Sequence, residues 1–395
     1  MRTQVRALKS GTARKYLEHH ALTAALALHE EGAFVPWVSY LFPSELLASY
    51  GLTPLIPEVA ATTLMGMDFR EEVETAMNRS ALPRDLCSYH RAARAALDTR
   101  LLPAPSICLG TTPLCTAKEC LLDQLAQEYH VPFISIHVPL PPDEGPARPD
   151  QVSDVAGQLG ALHERIGEFT GRRPALAEAM RNSSRAARAW RSVDEGRMSG
   201  DLLLDGRHMF AFAFLGQMLW GTVAGARGFE RLLTERGRAD LVVPTNGSEG
   251  TSGPRPRLVW LHTVPHHDDS AFETIRAHGG AVVFEEMGRT HLEEIDPADP
   301  FPGLARRLIE HPVWGSATRR ARLVVELARG ARADGVIHFN HWGCRQGLGT
   351  LPVLRSVLAR EGIPFLTIDG DALDRPGGGS DTMTARLESF LEMLL

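Results

Sequence analysis

The chain has 395 residues, 44% of them hydrophobic and 23% charged, the make-up of an ordinary water-soluble protein with a full core. Its formal net charge is −6 and its 42 Lys and Arg are scattered, which argues against a nucleic-acid or membrane-surface footprint. Five cysteines, odd in number and sparse, argue against a secreted disulfide framework and for a reducing cytoplasm. The N-terminal MRTQVRALKSGTARKYLEHHALTAAL is basic but has no apolar core followed by a small-residue cleavage site, so no export signal is expected.

The residues up to about Thr12 are polar, and ARKYLEHHALTAALALHEEG then reads as a helix leading into a strand, FVPWVSYL. PSELLASYG carries Pro43 at a helix start, Glu45 in the first turn and Gly51 at the stop, and TPLIP reads as a second strand. ALPRDLCSYHRAARAALDTRLL is a loop bearing Cys87 followed by a helix. PSICLG is a strand, TTPLC a loop, TAKECLLDQLAQEYH a helix and VPFISIHVPL a closing strand. Strands alternating with helices through short loops imply a parallel sheet covered on both faces.

The Pro-rich stretch Pro141 to Asp150 ends that pattern, and helices follow: VSDVAGQLGALHERIGEFTG, then PALAEAMRNSSRAARAWRSV. The apolar run His208 to Ala226 contains a GxxxG at Gly221 and Gly225, yet it holds Gln217 and is barely long enough to span a bilayer. It is therefore expected to be buried in protein. Pro244 to Arg257 reads as a flexible linker.

Alternation then resumes with LVWLHTV, the helix AFETIRAHG, the strand GAVVFEE, helices on both sides of HPVWG, and the strand Val336 to Phe339. That strand delivers Asn340, His341, Trp342, Gly343 and Cys344, after which LPVLRSVLAREG is helical, PFLTIDGD is a strand and SDTMTARLESFLEMLL is a capped amphipathic helix. The fold class is thus α/β, two Rossmann-like or flavodoxin-like parallel-sheet domains with a helical segment between them. The expected boundaries are 1–20 for the tail and helix start, 21–143 for the first α/β domain, 144–243 for the helical insert, 244–256 for the linker and 257–395 for the second α/β domain.

Neither GxxxxGK[ST] nor a GxGxxG between strand and helix occurs, so nucleotide hydrolysis is not expected. Paired CxxC units, HExxH and GxSxG are absent too. Among the cysteines, Cys87, Cys115 and Cys344 fall on loops that precede helices, whereas Cys108 sits in a strand and Cys120 in a helix, both expected in the core. Thiolates from several loops meeting in a cleft suit an iron–sulfur cluster. By spacing alone, buried structural cysteines are the favoured reading.

LGTTPLCTAKECLLDQLAQEYHVPFISIHVP, with its Cys loop, helix and His-Val-Pro strand end, resembles the 2-hydroxyacyl-CoA dehydratase and benzoyl-CoA reductase subunit family, on the side of the dehydratase D-component. LPRDLCSYHRAA is similar to that family's earlier cysteine segment, DGVIHFNHWGCRQGLG followed by EGIPFLTIDGDALD to its third, and VPWVSYLFPSELLASYGLTPL to its N-terminal segment. The resemblance spans nearly the whole chain, tightest at the cysteine segments and loosest in the helical insert.

What the resemblance implies is a [4Fe–4S] cluster held by Cys87, Cys115 and Cys344 with one iron left open, or a double-cubane cluster as in one branch of the family. It implies an acyl-CoA substrate, a homologous second subunit in a heterodimer or homodimer, and a separate ATPase activator as electron donor. A thioester carbonyl would become a ketyl radical that expels the neighbouring hydroxyl. An ATP-dependent benzoyl-CoA-reductase-type or double-cubane-type reductase subunit, or a non-catalytic relay subunit, are the alternatives within the family. Glu45 is the candidate proton acceptor, or else a first-turn carboxylate offsetting the helix dipole. His341 is a candidate donor to the cluster or the carbonyl, or else solvated. Arg345 is a candidate contact for the coenzyme A phosphates, or else a surface residue.

Overall fold

The computed structural model describes residues 12–235 apart from 113 and 203, 255–374 apart from 291 and 292, and 380–395. The expected linker 244–256 lies mostly outside the described residues.

The first unit is built on three parallel strands in the order β1 (Pro36–Val38), β2 (Ile107–Thr111) and β3 (Phe133–Ile136). TPLIP, expected as a strand, contributes one residue pair: Leu55 exchanges 2.8 Å hydrogen bonds with Pro36 and Val38 on the free side of β1. Pro54 and Pro57 on either side have no backbone N–H, so the ladder cannot extend past Leu55. Residues 57–80, without an expected element, fold into two helices, Pro57–Met65 and Arg70–Arg79, the first started by Pro57 at a position that needs no N–H.

The second unit has four parallel strands in the order β5 (Ala281–Glu285), β4 (Arg257–Leu261), β6 (Gly335–His341), β7 (Phe365–Gly370). In order along the chain this is 2-1-3-4, the start of the flavodoxin-like order, and with Leu55 counted as an edge the first unit follows the same sequence. In such sheets the crevice beyond the carboxyl ends of strands 1 and 3, where connections leave in opposite directions, is where ligands bind. In the second unit the residues at that point are His262 after β4 and Cys344 after β6; in the first they are Ser39 after β1 and Cys115 after β2.

Between the units stand four helices, Pro149–Thr170, Leu176–Ser199, Gly206–Leu219 and Val223–Thr234. The apolar run His208 to Ala226 is broken at Gly221, which adopts a left-handed φ of 82° with its Cα against Glu45, while Thr222 caps the next helix. No helix among the described residues is long and apolar enough to cross a membrane. The N-terminal helix, Ala13–Ala27, packs Ala13, Leu17 and Ala21 against Trp190, Phe212 and Phe229 of these helices. One continuous apolar core runs from Trp37 of the first sheet to Trp260 and Phe339 of the second, so the two units are welded rather than tethered. Cys108 lies in that core and burial raises its thiol pKa to about 12, whereas Cys120, expected in the core, is on the exposed face of its helix.

Candidate functional site

Each of the three loop cysteines is the N-cap of a helix: Cys87 of Ser88–Asp98, Cys115 of Thr116–Glu128 and Cys344 of Arg345–Arg360. A helix N-terminus has spare N–H groups and partial positive charge, so it accepts a sulfur in place of the usual cap oxygen and favours its thiolate. Lys118 N–H donates to Cys115 Sγ and Gly347 N–H to Cys344 Sγ, each at 3.4 Å.

The structure brings the three together. Gly343 lies so close to the first unit that a Cβ on it would stand 2.3 Å from the Cys87 Cα, an approach open only to glycine. Burial drives the Cys87 thiol pKa well up, and the charges of Cys115 and Cys344 add to it, opposed by the N–H groups of Tyr89 and His90. Burial also raises Cys115, with Glu58 and Cys344 adding and Lys118 opposing. For Cys344 burial is outweighed by His262, whose ring hydrogen-bonds the sulfur, and the pKa falls to about 7.

A histidine stands beside each sulfur. His341 Nε2 is 3.3 Å from Cys87 Sγ and His90 Nε2 is 3.4 Å from Cys115 Sγ. Burial holds His341 neutral, with a pKa of about 4, and His90 likewise at about 3. The third, His262, donates from Nδ1 to the Phe339 carbonyl at 3.2 Å, and its N–H donates to Glu286 Oε2 at 3.1 Å. Glu286 is itself clamped by Arg320 through bonds of 2.7 and 2.6 Å. This clamp holds His262 at a φ of 68°, and Leu114, just before Cys115, sits at 77°; left-handed non-glycine residues of this kind gather at functional sites.

The carboxylates divide unexpectedly. Glu45 is fully buried: Arg307 donates to its two oxygens at 2.6 and 2.8 Å and Ser183 adds a third bond at 2.6 Å. A carboxylate so engaged joins the first unit to the second, which favours its structural reading over that of a proton acceptor. Glu58, which the sequence did not single out, lies near Cys115 and Lys118; burial raises its pKa, with Lys118 opposing, and its Oε2 is shielded from solvent with no hydrogen-bond partner among the described residues. Lys118 is buried, its ammonium donating to the Thr111 carbonyl at 2.9 Å. Arg345 is exposed at the first position of its helix, with no ion pair among the described residues.

Pro57-Glu58 opening a helix, and His90 three residues after Cys87, were visible as motifs only to a reader who knew that both faced Cys115. His262 carried no signal at all. A mainly apolar cavity of about 510 Å³ lies between Ala13–Ala27, Pro57–Met65 and Gly206–Leu219, but no cysteine lines it; its wall of Phe214 and His266 only backs onto Tyr89, which packs on His341.

Among the described residues no three His, Cys, Asp or Glu side chains converge as ligands of one metal ion. A cluster does not ask for that, since each thiolate holds a different iron and the sulfurs surround a volume instead of meeting at a point. All three thiols are free of disulfides, and buried polar atoms without hydrogen-bond partners among the described residues, Ser88 Oγ and His90 Nδ1, lie beside them. The donor set, three soft sulfurs at three positively polarised helix ends, fits an iron–sulfur group.

Two parallel-sheet units joined by one core, with thiol-bearing loops from both meeting at their carboxyl ends, define a two-unit α/β protein with a sulfur-lined junction. Sequence comparison specifies the family. The chain belongs to the family described as 2-hydroxyglutaryl-CoA dehydratase, D-component, whose model matches residues 39–394. It is also similar to the (R)-phenyllactyl-CoA dehydratase alpha subunit of Clostridium sporogenes, at 21% identity over 393 residues covering 94% of this chain and 92% of the relative.

Proposed function

We propose that this chain is the iron–sulfur component of a 2-hydroxyacyl-CoA dehydratase that removes the 2-hydroxyl from an acyl-CoA thioester by one-electron chemistry. The observation that carries the reading is the meeting of Cys87, Cys115 and Cys344, two from one unit and one from the other, each at a helix N-terminus and each in the field of the other two. These three would hold a [4Fe–4S] cluster, which when bound supplies an electron and a Lewis-acid iron to the thioester carbonyl.

The chain's own residues do the remainder. The welded core and the Gly343–Cys87 contact keep water from the back of the site. Glu58 Oε2, unpartnered and in a setting that raises its proton affinity, takes the proton that the substrate carbon must lose. Lys118 lies near enough to offset the charge of that carboxylate when it is ionised. Arg345, exposed beside Cys344, meets the coenzyme A phosphates. The alpha-subunit status of the Clostridium sporogenes relative supports a second subunit alongside this chain, and the lack of a phosphate loop supports a separate ATPase as electron source.

The test is iron and sulfide content after anaerobic purification or reconstitution. Wild type, Cys108→Ser and Cys120→Ser should bind a full cluster, while Ser at 87, 115 or 344 should each remove most of the iron and all activity. Iron-free wild-type protein, or an equal loss at Cys108, would overturn the reading.

A further inference from the structure

The histidines beside the sulfurs are interlocked. His90, three residues after Cys87, reaches Cys115; His341, three residues before Cys344, reaches Cys87; and His262, from a third loop, reaches Cys344. Among the described residues, each of these three sulfurs is reached by a histidine from another loop.

For His341 the direction of the contact follows from its second nitrogen. The backbone N–H of Ala372 points at Nδ1 from 3.2 Å, and a backbone N–H only donates, so Nδ1 carries a lone pair and the ring proton is on Nε2, facing Cys87 Sγ at 3.3 Å. The ring is buried and edge-on to Tyr89, so it has no room to turn over. His90 is buried as well; its Nδ1 has no partner among the described residues, and the sulfur of Cys115 at 3.4 Å is the acceptor that its Nε2 faces.

We propose that His341 and His90 are positioning residues that donate N–H···S hydrogen bonds to Cys87 and Cys115 and thereby raise the reduction potential of the group those cysteines hold. This rests on the reading of the cysteines as cluster ligands. The physics is charge stabilisation: an added electron spreads onto the ligand sulfurs, and a fixed donor aimed at a sulfur stabilises the reduced form more than the oxidised one. Two such buried donors act on it more strongly than solvent-exposed ones would.

The experiment measures iron content and midpoint potential together, by redox titration followed by electron paramagnetic resonance, on the anaerobic reconstituted full chain. His341→Leu and His90→Leu should keep their iron yet at a fixed potential show a reduced-to-oxidised ratio at least tenfold below wild type, about 59 mV for a one-electron couple. His341→Gln, which keeps a side-chain N–H, should recover most of the shift and covers the case in which leucine fails to fold there. His29→Gln, on the surface, should leave the potential unchanged. Unaltered potentials in fully loaded His341→Leu and His90→Leu, or a glutamine variant as low as the leucine one, would overturn the proposal while leaving the ligand assignment standing. Wild type without iron would overturn both.

Discussion

At the scale of residues, the proposed chemistry turns on which of two carboxylates, Glu45 or Glu58, is idle. Both oxygens of Glu45 are held by Arg307, so its removal takes from a buried guanidinium the carboxylate that it hydrogen-bonds. Glu45→Ala is therefore expected to lower stability by about 3–5 kcal/mol in denaturant unfolding, with iron binding lost only as far as the fold is lost. Glu58 is the reverse case. Glu58→Gln keeps the shape and loses the proposed base, so on the proposed function it should retain iron and fold but reduce turnover by about 100- to 10,000-fold. If Glu58→Gln is fully active, or Glu45→Ala is stable and inactive, the two roles are the other way round.

At the scale of elements, the three caps share one local design, a strand end or turn followed by a cysteine and a helix. That design was legible in the chain, because Ile107 to Thr111 and Val336 to Phe339 are apolar runs that stop at turn residues, and amphipathic helices follow. The glycine that lets the caps approach was not. Gly343 looks like any loop glycine until Cys87 is found against it. Gly343→Ala should force the two loops apart, costing about 1–3 kcal/mol as overpacking does and reducing iron content together with the unfolding midpoint. Alanine at Gly349, where nothing lies within 4 Å, is the matched control and should do neither. A loaded, wild-type-like Gly343→Ala protein would show that the two loops have room to part.

At the scale of the whole molecule, the units are joined by the shared core, the Glu45–Arg307 pair and the meeting of the cysteines. The stretch Pro141 to Asp150 reports on that joint, since Ala147 N–H is bound to Glu310, Asp143 to Ser316 and Glu144 to Arg322, all from the second unit. If the proposed cluster is held there, stripping iron with a chelator should speed proteolysis within 141–150, and restoring iron should slow it again, as a ligand bound only by the folded state would. Equal cleavage rates with and without iron would mean that the cluster does not brace the joint.

The sequence by itself determined the alternation of strands and helices, the parallel sheets it implies, and three cysteines placed where helices begin. These follow from patterns a few residues long: apolar runs, helical spacing, and turns marked by proline and glycine. The tertiary structure alone decided that Leu55 pairs only once, that Cys120 faces solvent, that Glu45 belongs to Arg307 and that Glu58 stands by Cys115. It alone decided that His341 serves Cys87, 254 positions away in the chain. Periodicity tells a side chain which way to face, but its partner is set by how two sheets and four helices pack, a matter of contacts distant in sequence that no local pattern encodes.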